Sequence, residues 1–250
     1  MTGRQPLASV TDEARRVATA AEAAGVTLRV TGGVGVALTC SSASTDPLAR
    51  IYSDIDVVSH AKERKAVTAL LLELGYCADD AFNALHGARR LFFWDATNDR
   101  QLDVFLDKVE MCHVIDLRDR LEAPGLVLTP ADLLLMKLQV VESNVKDLTD
   151  IVCLLTDKDF TRGTDAGIDL DYLAALAAED WGLWRTVTMV ADRAGSWARQ
   201  AAGLASPERV QRQVREFVDT LEAAPKSRAW RLRARVGDRK KWYMTPEETH

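Results

Sequence analysis

The sequence predicts an α/β (α+β) protein in which a small mixed sheet with packed helices is followed by a bundle of helices. Up to residue 107, short β-rich runs alternate with helical patterns in the order α-β-α-β-α-β-β. After Pro124-Gly125 the pattern changes, and from Thr129 onward strand signals largely disappear. We therefore predict a sheet domain over residues 1–128, a helical domain over 129–224 and a basic C-terminal tail over 225–250.

Five elements are predicted before residue 75. An alanine-rich helix over 10–24 starts near Thr11 as a candidate N-cap and stops at Gly25. The β-branched run 26–30 predicts a strand, and the glycines after it predict a turn into a short helix. Residues 54–58 predict a second strand, and the apolar spacing over 61–74 predicts an amphipathic helix.

The later elements follow from turn and cap signals. Residues 89–107 predict two strands joined at Asn98-Asp99, a dipeptide typical of hairpin turns. In the helical domain, Thr129 is an N-cap with Pro130 at the first helical position, and Ser206-Pro207 opens the last long helix in the same way.

Composition and charge restrict the class of protein. The chain of 250 residues is 47% hydrophobic and 28% charged, which is typical of a globular protein. No apolar run approaches the ~18 residues of a membrane span, and the N-terminus lacks the apolar core of a signal peptide. We therefore expect a cytoplasmic protein with no membrane partner. The four cysteines are scattered without a CxxC pair, which favours reduced, packed thiols.

The C-terminal segment is basic although the chain as a whole is acidic. The net charge is −5, but residues 226–241 hold eight basic residues and one acidic residue, so this window is +7 and the rest of the chain is −12. Trp230, Trp242 and Tyr243 lie in or just after it. The segment could bind a polyanion with its aromatic rings stacked on bases, or it could be solvated or docked on its own chain.

Two carboxylates, Asp54 and Asp56, lie one residue apart on a strand that is otherwise apolar. Alternate side chains of a strand project to the same face, so the two anions repel unless a positive group lies between them. Oxygen ligands favour Mg²⁺ or Mn²⁺ over zinc. Asp103 lies in similar surroundings on the second hairpin strand, and if that strand is beside residues 54–58, three carboxylates converge. This arrangement suits two metal ions in a displacement at phosphorus.

The glycines Gly32 and Gly33 lie between a strand and a helix, where the backbone can approach a ligand and the helix N-terminus can face an anion such as a triphosphate. Their spacing lacks the third glycine of GxGxxG and the lysine of a P-loop. A plain tight turn is the alternative.

Three segments of the chain resemble the nucleotidyltransferase superfamily of the DNA polymerase β type, and within it the AbiE-type nucleotidyltransferase toxins. The segments are "TGGVGVAL", "RIYSDIDVV" and "QLDVFLD". The helical stretch "TPADLLLMKLQVVESNVKDLTDIVCLL" is similar to the same family. The chain departs from the pattern in three places: Ser53 is one position out, Val34 replaces a polar residue or tryptophan, and "CSSASTDPLA" reads as an insertion.

The resemblance implies transfer of a nucleoside monophosphate from an NTP to a hydroxyl group. Asp54, Asp56 and Asp103 would be the catalytic and metal-binding residues for two Mg²⁺ (or Mn²⁺) ions, with Asp103 also helping to deprotonate the acceptor. The implied nucleotide-binding residues are Gly32, Gly33, Arg50, Ser53 and Lys137. Lys146, Asp147 and Asp150 form a second candidate set in the helical domain, or an ordinary exposed helix face.

Three classes of function stay open. The first is a toxin that modifies a tRNA 3′ end and has a protein antitoxin as partner, which the basic tail favours. The second is a small-molecule enzyme similar to the aminoglycoside nucleotidyltransferases, which share the Gly-Gly, Asp-x-Asp and later carboxylate. The third is a non-catalytic nucleotide- or RNA-binding module, against which the three carboxylates argue.

Overall fold

The computed structural model describes residues 5–245, which contain ten α-helices and nine β-strands. The helices are α1 (Val10–Ala23), α2 (Gly32–Thr39), α3 (Arg64–Glu73), α4 (Asp80–His86), α5 (Pro130–Leu138), α6 (Val145–Asp157), α7 (Leu170–Glu179), α8 (Trp181–Gln200), α9 (Pro207–Ala223) and α10 (Arg228–Val236). The strands are β1 (Leu28–Thr31), β2 (Asp54–Ser59), β3 (Cys77–Ala78), β4 (Arg90–Asp95), β5 (Arg100–Leu106), β6 (Lys108–Glu110), β7 (Val114–Asp116), β8 (Phe160–Thr161) and β9 (Ile168–Asp169).

The described residues divide into two compact units, and the predicted α+β fold class is confirmed. Unit 1 comprises residues 5–39, Ile51–Val109 and Val114–Leu128, and it holds the main sheet. Unit 2 comprises Cys40–Arg50, Glu110–His113 and residues 129–245, and it is mainly helical.

The sheet of unit 1 is mixed, with strand order β1-β2-β5-β4-β3. Strand β2 pairs antiparallel with β1 and parallel with β5, while β4 pairs antiparallel with β5 and β3. The predicted hairpin is confirmed, because β4 and β5 pair across a loop that contains Asp99 at φ 55°. The parallel pair places β5 directly beside β2, as the convergence of the three carboxylates requires.

One face of this sheet forms the core of unit 1. Ile55 and Val57 of β2 and Leu102 and Val104 of β5 are fully buried, together with apolar residues of α1 and α3. These sheet residues occupy every second position, so the residues between them project to the opposite face. The alternation therefore leaves the side chains of the opposite face available for a role other than core packing.

Several element boundaries differ from the sequence expectation. Helix α1 begins at Val10 because Ser9, not Thr11, accepts the N-cap hydrogen bond from the backbone of Asp12. The segment Ala61–Glu63 is a 3₁₀ turn, so α3 starts only at Arg64. The short elements β3 and α4 were not predicted, since two and seven residues are too few for a periodic pattern.

Unit 2 follows its cap signals. Thr129 accepts a hydrogen bond from the backbone of Asp132 at 3.3 Å, and Pro130 occupies the first turn of α5. Helices α6, α8 and α9 pack against one another. The predicted basic tail, residues 225–250, contains α10, which packs on α7 and α8. Residues 246–250 of this segment lie outside the described range.

Candidate functional site

Three aspartates share the face of the sheet opposite the core of unit 1. The register pairs Asp56 with Asp103 across the parallel strands β2 and β5, and it pairs Asp54 with Gln101. Neighbouring strands are about 4.8 Å apart, so the side chains of Asp56 and Asp103 start from adjacent positions. We call Asp54, Asp56 and Asp103 the carboxylate face.

The three members differ in exposure. Asp54 is exposed, Asp56 is half-buried and Asp103 is 5% exposed. The hydroxyl of Ser53 donates to Oδ1 of Asp54 at 3.4 Å. One end of the carboxylate face is therefore open to solvent, and the other lies within the unit.

Asp103 is held by an arginine of the neighbouring strand. Nε of Arg90 donates to Oδ1 of Asp103 at 2.7 Å. The guanidinium of Arg90 also lies over the rings of Phe105 at 5.2 Å and Phe82 at 5.8 Å. Burial raises the pKa of Asp103, Arg90 counteracts part of that rise, and the charge of Asp54 adds to it, so the pKa is raised overall.

The glycine turn packs directly on this face. Gly32 has φ +64°, a conformation that glycine adopts without strain, and it begins α2 immediately after β1. A Cβ at Gly32 would overlap Oδ2 of Asp56 and lie 3.0 Å from the Cβ of Asp56. The turn predicted at Gly32-Gly33 is therefore in contact with one of the predicted carboxylates.

The donors of the carboxylate face fit a hard divalent cation in their chemistry. All are carboxylate oxygens, which Mg²⁺ and Mn²⁺ prefer, and the missing side chain of Gly32 leaves room for the carboxylate of Asp56. Within residues 5–245, no three carboxylate, imidazole or thiol side chains are arranged so that together they could hold a metal ion. One of the carboxylate oxygens, Oδ1 of Asp103, is paired with Arg90.

A second set of predicted residues meets inside unit 2. Nε and Nη2 of Arg50 donate to the two oxygens of Asp150 at 3.0 and 2.7 Å. Nζ of Lys137 lies 2.9 Å from Oδ2 of Asp150 and 3.1 Å from Oδ1 of Asp147. We call Arg50, Lys137, Asp147 and Asp150 the buried ion-pair cluster.

The buried ion-pair cluster is balanced in charge. Asp150 is fully buried, and the side chain of Lys137 is 14% exposed. Burial lowers the pKa of Lys137, but attraction to Asp150 and Asp147 outweighs it, so the pKa is raised. Lys146, the remaining residue of the predicted helical-domain set, is exposed. Binding of phosphate by Arg50 and Lys137 stays a prediction, and in this structure both side chains pair with Asp150.

The residue that sequence reasoning left out of the site is Arg90. Its side chain is the hydrogen-bond partner of Asp103. The predicted hairpin could have identified Arg90 as a neighbour of Asp103. A turn centred near residues 97–98 places β4 against β5 in the observed register, with Phe92 opposite Asp103. A side chain two residues from Phe92 can reach Asp103 diagonally.

The aromatic residues of the basic segment pack within unit 2. The ring of Trp230 lies 5.2 Å from that of Trp184, and the ring of Trp242 lies 6.0 Å from that of Trp181. Nε1 of Trp242 donates to Oγ1 of Thr186 at 3.0 Å. The tryptophans of this segment therefore dock on their own chain, which was one of the expectations for the segment; stacking on the bases of a polyanion was another.

The solved structures similar to this chain include the antibiotic-resistance factor ANT(2'')-Ia and JHP933 from Helicobacter pylori. No protein-family model matches the chain, and no curated protein matches it significantly. The antibiotic-resistance factor ANT(2'')-Ia is 13% identical, with 56% of this chain and 79% of that chain covered and a TM-score of 0.36. JHP933 from Helicobacter pylori is 13% identical, with 90% and 95% covered and a TM-score of 0.44. Both TM-scores are below 0.5, so neither likeness bears on function.

Across residues 5–245, none of the helices combines the length and the apolar character needed to cross a membrane.

Proposed function

We propose that this protein is a nucleotidyltransferase, which moves a nucleoside monophosphate from an NTP to a hydroxyl group and releases pyrophosphate. One observation carries the proposal. A strand with two alternate aspartates lies parallel to a strand with a third, and the glycine that starts α2 touches the middle carboxylate. The sheet face thus concentrates negative charge next to a backbone that can approach a ligand closely.

The residues of the carboxylate face have different tasks in this proposal. Asp54 and Asp56 would hold two Mg²⁺ (or Mn²⁺) ions, and Asp103 would complete one of the two sites. Such ions supply positive charge for the triphosphate and lower the pKa of the acceptor hydroxyl. Asp103 is the general base for that hydroxyl, and the hydrogen bond from Arg90 fixes its orientation.

The nucleotide would lie against the glycine turn. The first backbone N–H groups of α2, at Gly32 and Gly33, would face the phosphate oxygens, and Ser53 lies beside Asp54. Arg50 and Lys137 are proposed phosphate ligands as well, and in the structure both pair with Asp150 within unit 2. Asp147 and Asp150 are then positioning residues for these two cations.

The acceptor has two candidates. A tRNA 3′ end is favoured by the net +7 charge of residues 226–241, and such a toxin would have a protein antitoxin as partner. A small hydroxyl acceptor of the aminoglycoside type is equally compatible with the carboxylate face, since that chemistry does not depend on the basic segment.

Label transfer tests the proposal. The full-length protein would be incubated with Mg²⁺ and each α-labelled NTP, with total tRNA or an aminoglycoside panel as acceptor. We expect Asp54→Asn to reduce the rate by on the order of 10³-fold, because a lost ligand removes several kcal/mol of charge stabilisation. Asp99→Asn is the matched control, since it makes the same change at an exposed hairpin turn of the same unit.

The outcomes separate the alternatives. Label on tRNA that depends on Asp54 supports the tRNA enzyme and identifies its base, whereas label on the small acceptor supports the second candidate. Nucleotide binding without transfer to either acceptor would contradict the proposal and favour a non-catalytic binding module.

A further inference from the structure

The outward face of α10 is a basic stripe. Arg228, Arg231 and Arg235 are exposed and spaced three and four residues apart, which places them on one side of the helix. Among residues 5–245, no carboxylate pairs with any of the three. The one acidic residue in the sequence window 226–241, Asp238, pairs with Arg185 at 3.0 Å. The positive charge of the stripe is therefore not neutralised within unit 2.

The opposite side of the same helix fixes it to unit 2. Backbone N–H of Ser227 donates to the carbonyl of Ala178 at 3.1 Å, and the ring of Trp230 packs on Trp184. The guanidinium of Arg233 lies 4.4 Å from the centroid of Trp181, and it donates to the carbonyl of Gly237 at 2.8 Å. Aromatic packing holds the helix, so its outer arginines are presented in a defined geometry.

We infer that this stripe binds the phosphate backbone of RNA. The three arginines lie within eight residues, so the first and the last are roughly 10 Å apart along the helix, a length over which a duplex presents about six phosphate charges. Guanidinium groups bind phosphate oxygens in a bidentate manner and keep their charge at any working pH. The tryptophans are packed inward, so recognition here is of the backbone and not by stacking of bases.

A membrane surface fits this face less well. An interfacial helix inserts a broad apolar side into the bilayer. In α10 the large apolar ring faces α8, and the outward apolar side chains are Leu232 (62% exposed) and Val236 (41% exposed). The uninterrupted arginine stripe favours a polyanion with regularly spaced charges.

The inference rests on the tRNA form of the proposed function, but its test does not need catalysis. Binding of fluorescein-labelled tRNA to the full-length protein is measured by anisotropy between 50 and 200 mM salt. We expect the triple variant Arg228→Gln, Arg231→Gln, Arg235→Gln to bind at least tenfold more weakly, with the slope of log affinity against log salt reduced by about 2–3.

Two matched variants control for charge and folding. The triple variant Arg199→Gln, Arg212→Gln, Arg215→Gln removes the same charge from exposed positions of α8 and α9, and we expect affinity within twofold of wild type. Replacing the three α10 arginines by lysine keeps the charge, and binding should be largely retained. Asp54→Asn should bind tRNA as wild type does, even when transfer is lost, so a failed enzyme and a failed docking surface give different results.

Three results overturn the inference. The first is that the wild type does not bind tRNA, and the second is that the α8–α9 control variant loses as much tRNA affinity as the α10 variant. The third is that the protein binds phosphatidylserine vesicles more tightly than tRNA and that this vesicle binding depends on the α10 arginines. The last result would assign the stripe to a membrane surface.

Discussion

The two units both gather charged side chains, but they do so in opposite ways. In unit 2, the buried ion-pair cluster balances two cations against two carboxylates at distances between 2.7 and 3.1 Å. In unit 1, the carboxylate face has three carboxylates, and one guanidinium, that of Arg90, pairs with Asp103. The first arrangement pairs two cations with two carboxylates, whereas the second gathers three carboxylates on one face of a sheet.

The pKa shifts express the same contrast. The pKa of Lys137 is raised, so the fold favours the charged ammonium in the buried ion-pair cluster. The pKa of Asp103 is also raised, but for an acid this means that the fold disfavours the charged form. Shifted carboxylates occur both at functional sites and in structural ion-pair networks. Ligand binding by the carboxylate face therefore stays a prediction.

The largest effect is expected from removing the shared anion of the buried ion-pair cluster. Asp150→Ala leaves Arg50 and Lys137 without their buried counter-charge, which lowers the free energy of unfolding by about 3–5 kcal/mol. Urea unfolding followed by tryptophan fluorescence measures it. The control is Asp54→Ala at the exposed end of the carboxylate face, which changes stability by no more than about 0.5 kcal/mol. Equal losses in the two variants would remove the distinction between the units.

A smaller effect is expected at the glycine that touches the carboxylate face. Gly32→Ala introduces a Cβ at φ +64° and into the position of the Asp56 carboxylate, so it lowers the free energy of unfolding by about 2–3 kcal/mol. Gly25→Ala is the matched control, because Gly25 has φ +68° and nothing within 4 Å of the added Cβ. Gly25→Ala lowers the free energy of unfolding only by the cost of a positive φ in a residue with a Cβ, which is about 1–2 kcal/mol. Similar losses in both would show that Asp56 moves aside without penalty.

The smallest effect is a pH dependence assigned to Asp103. Because its native pKa lies above the ordinary value of 3.8, the native state holds this proton at higher pH than the unfolded chain. The ionised carboxyl thus lowers stability at neutral pH, and the loss is recovered as pH falls through the native pKa. Asp103→Asn mimics the neutral form, so its stability relative to wild type decreases from pH 7 to pH 4. Thermal unfolding across this range measures the difference, and an increase over that range would contradict the assigned sign.

Much of unit 1 could be predicted from local patterns. The alternation of Ile55 and Val57 with Asp54 and Asp56 identifies both the core face and the polar face of β2. The turn at Asn98-Asp99 sets the hairpin, and Gly25 ends α1. Each of these features depends on neighbours in the chain, so the sequence carries the information locally.

Contacts between distant segments were not predictable in the same way. The pairing of Arg50 with Asp150 joins residues 100 positions apart, so local patterns did not reveal that this predicted phosphate ligand also belongs to a buried ion pair. The tryptophans of the C-terminal segment were equally compatible with stacking on bases until their packing on α8 was known.

The sequence by itself determined the order of the longer elements of unit 1, the polar face of β2 and the charge of the C-terminal segment, because periodicity, turn residues and charge counts are local properties. Only the tertiary structure decided that β5 lies parallel to β2, that Arg90 rather than solvent meets Asp103, and which side of α10 faces outward. Those outcomes depend on burial and register between segments far apart in the chain, where many pairings satisfy the same local pattern and packing selects one.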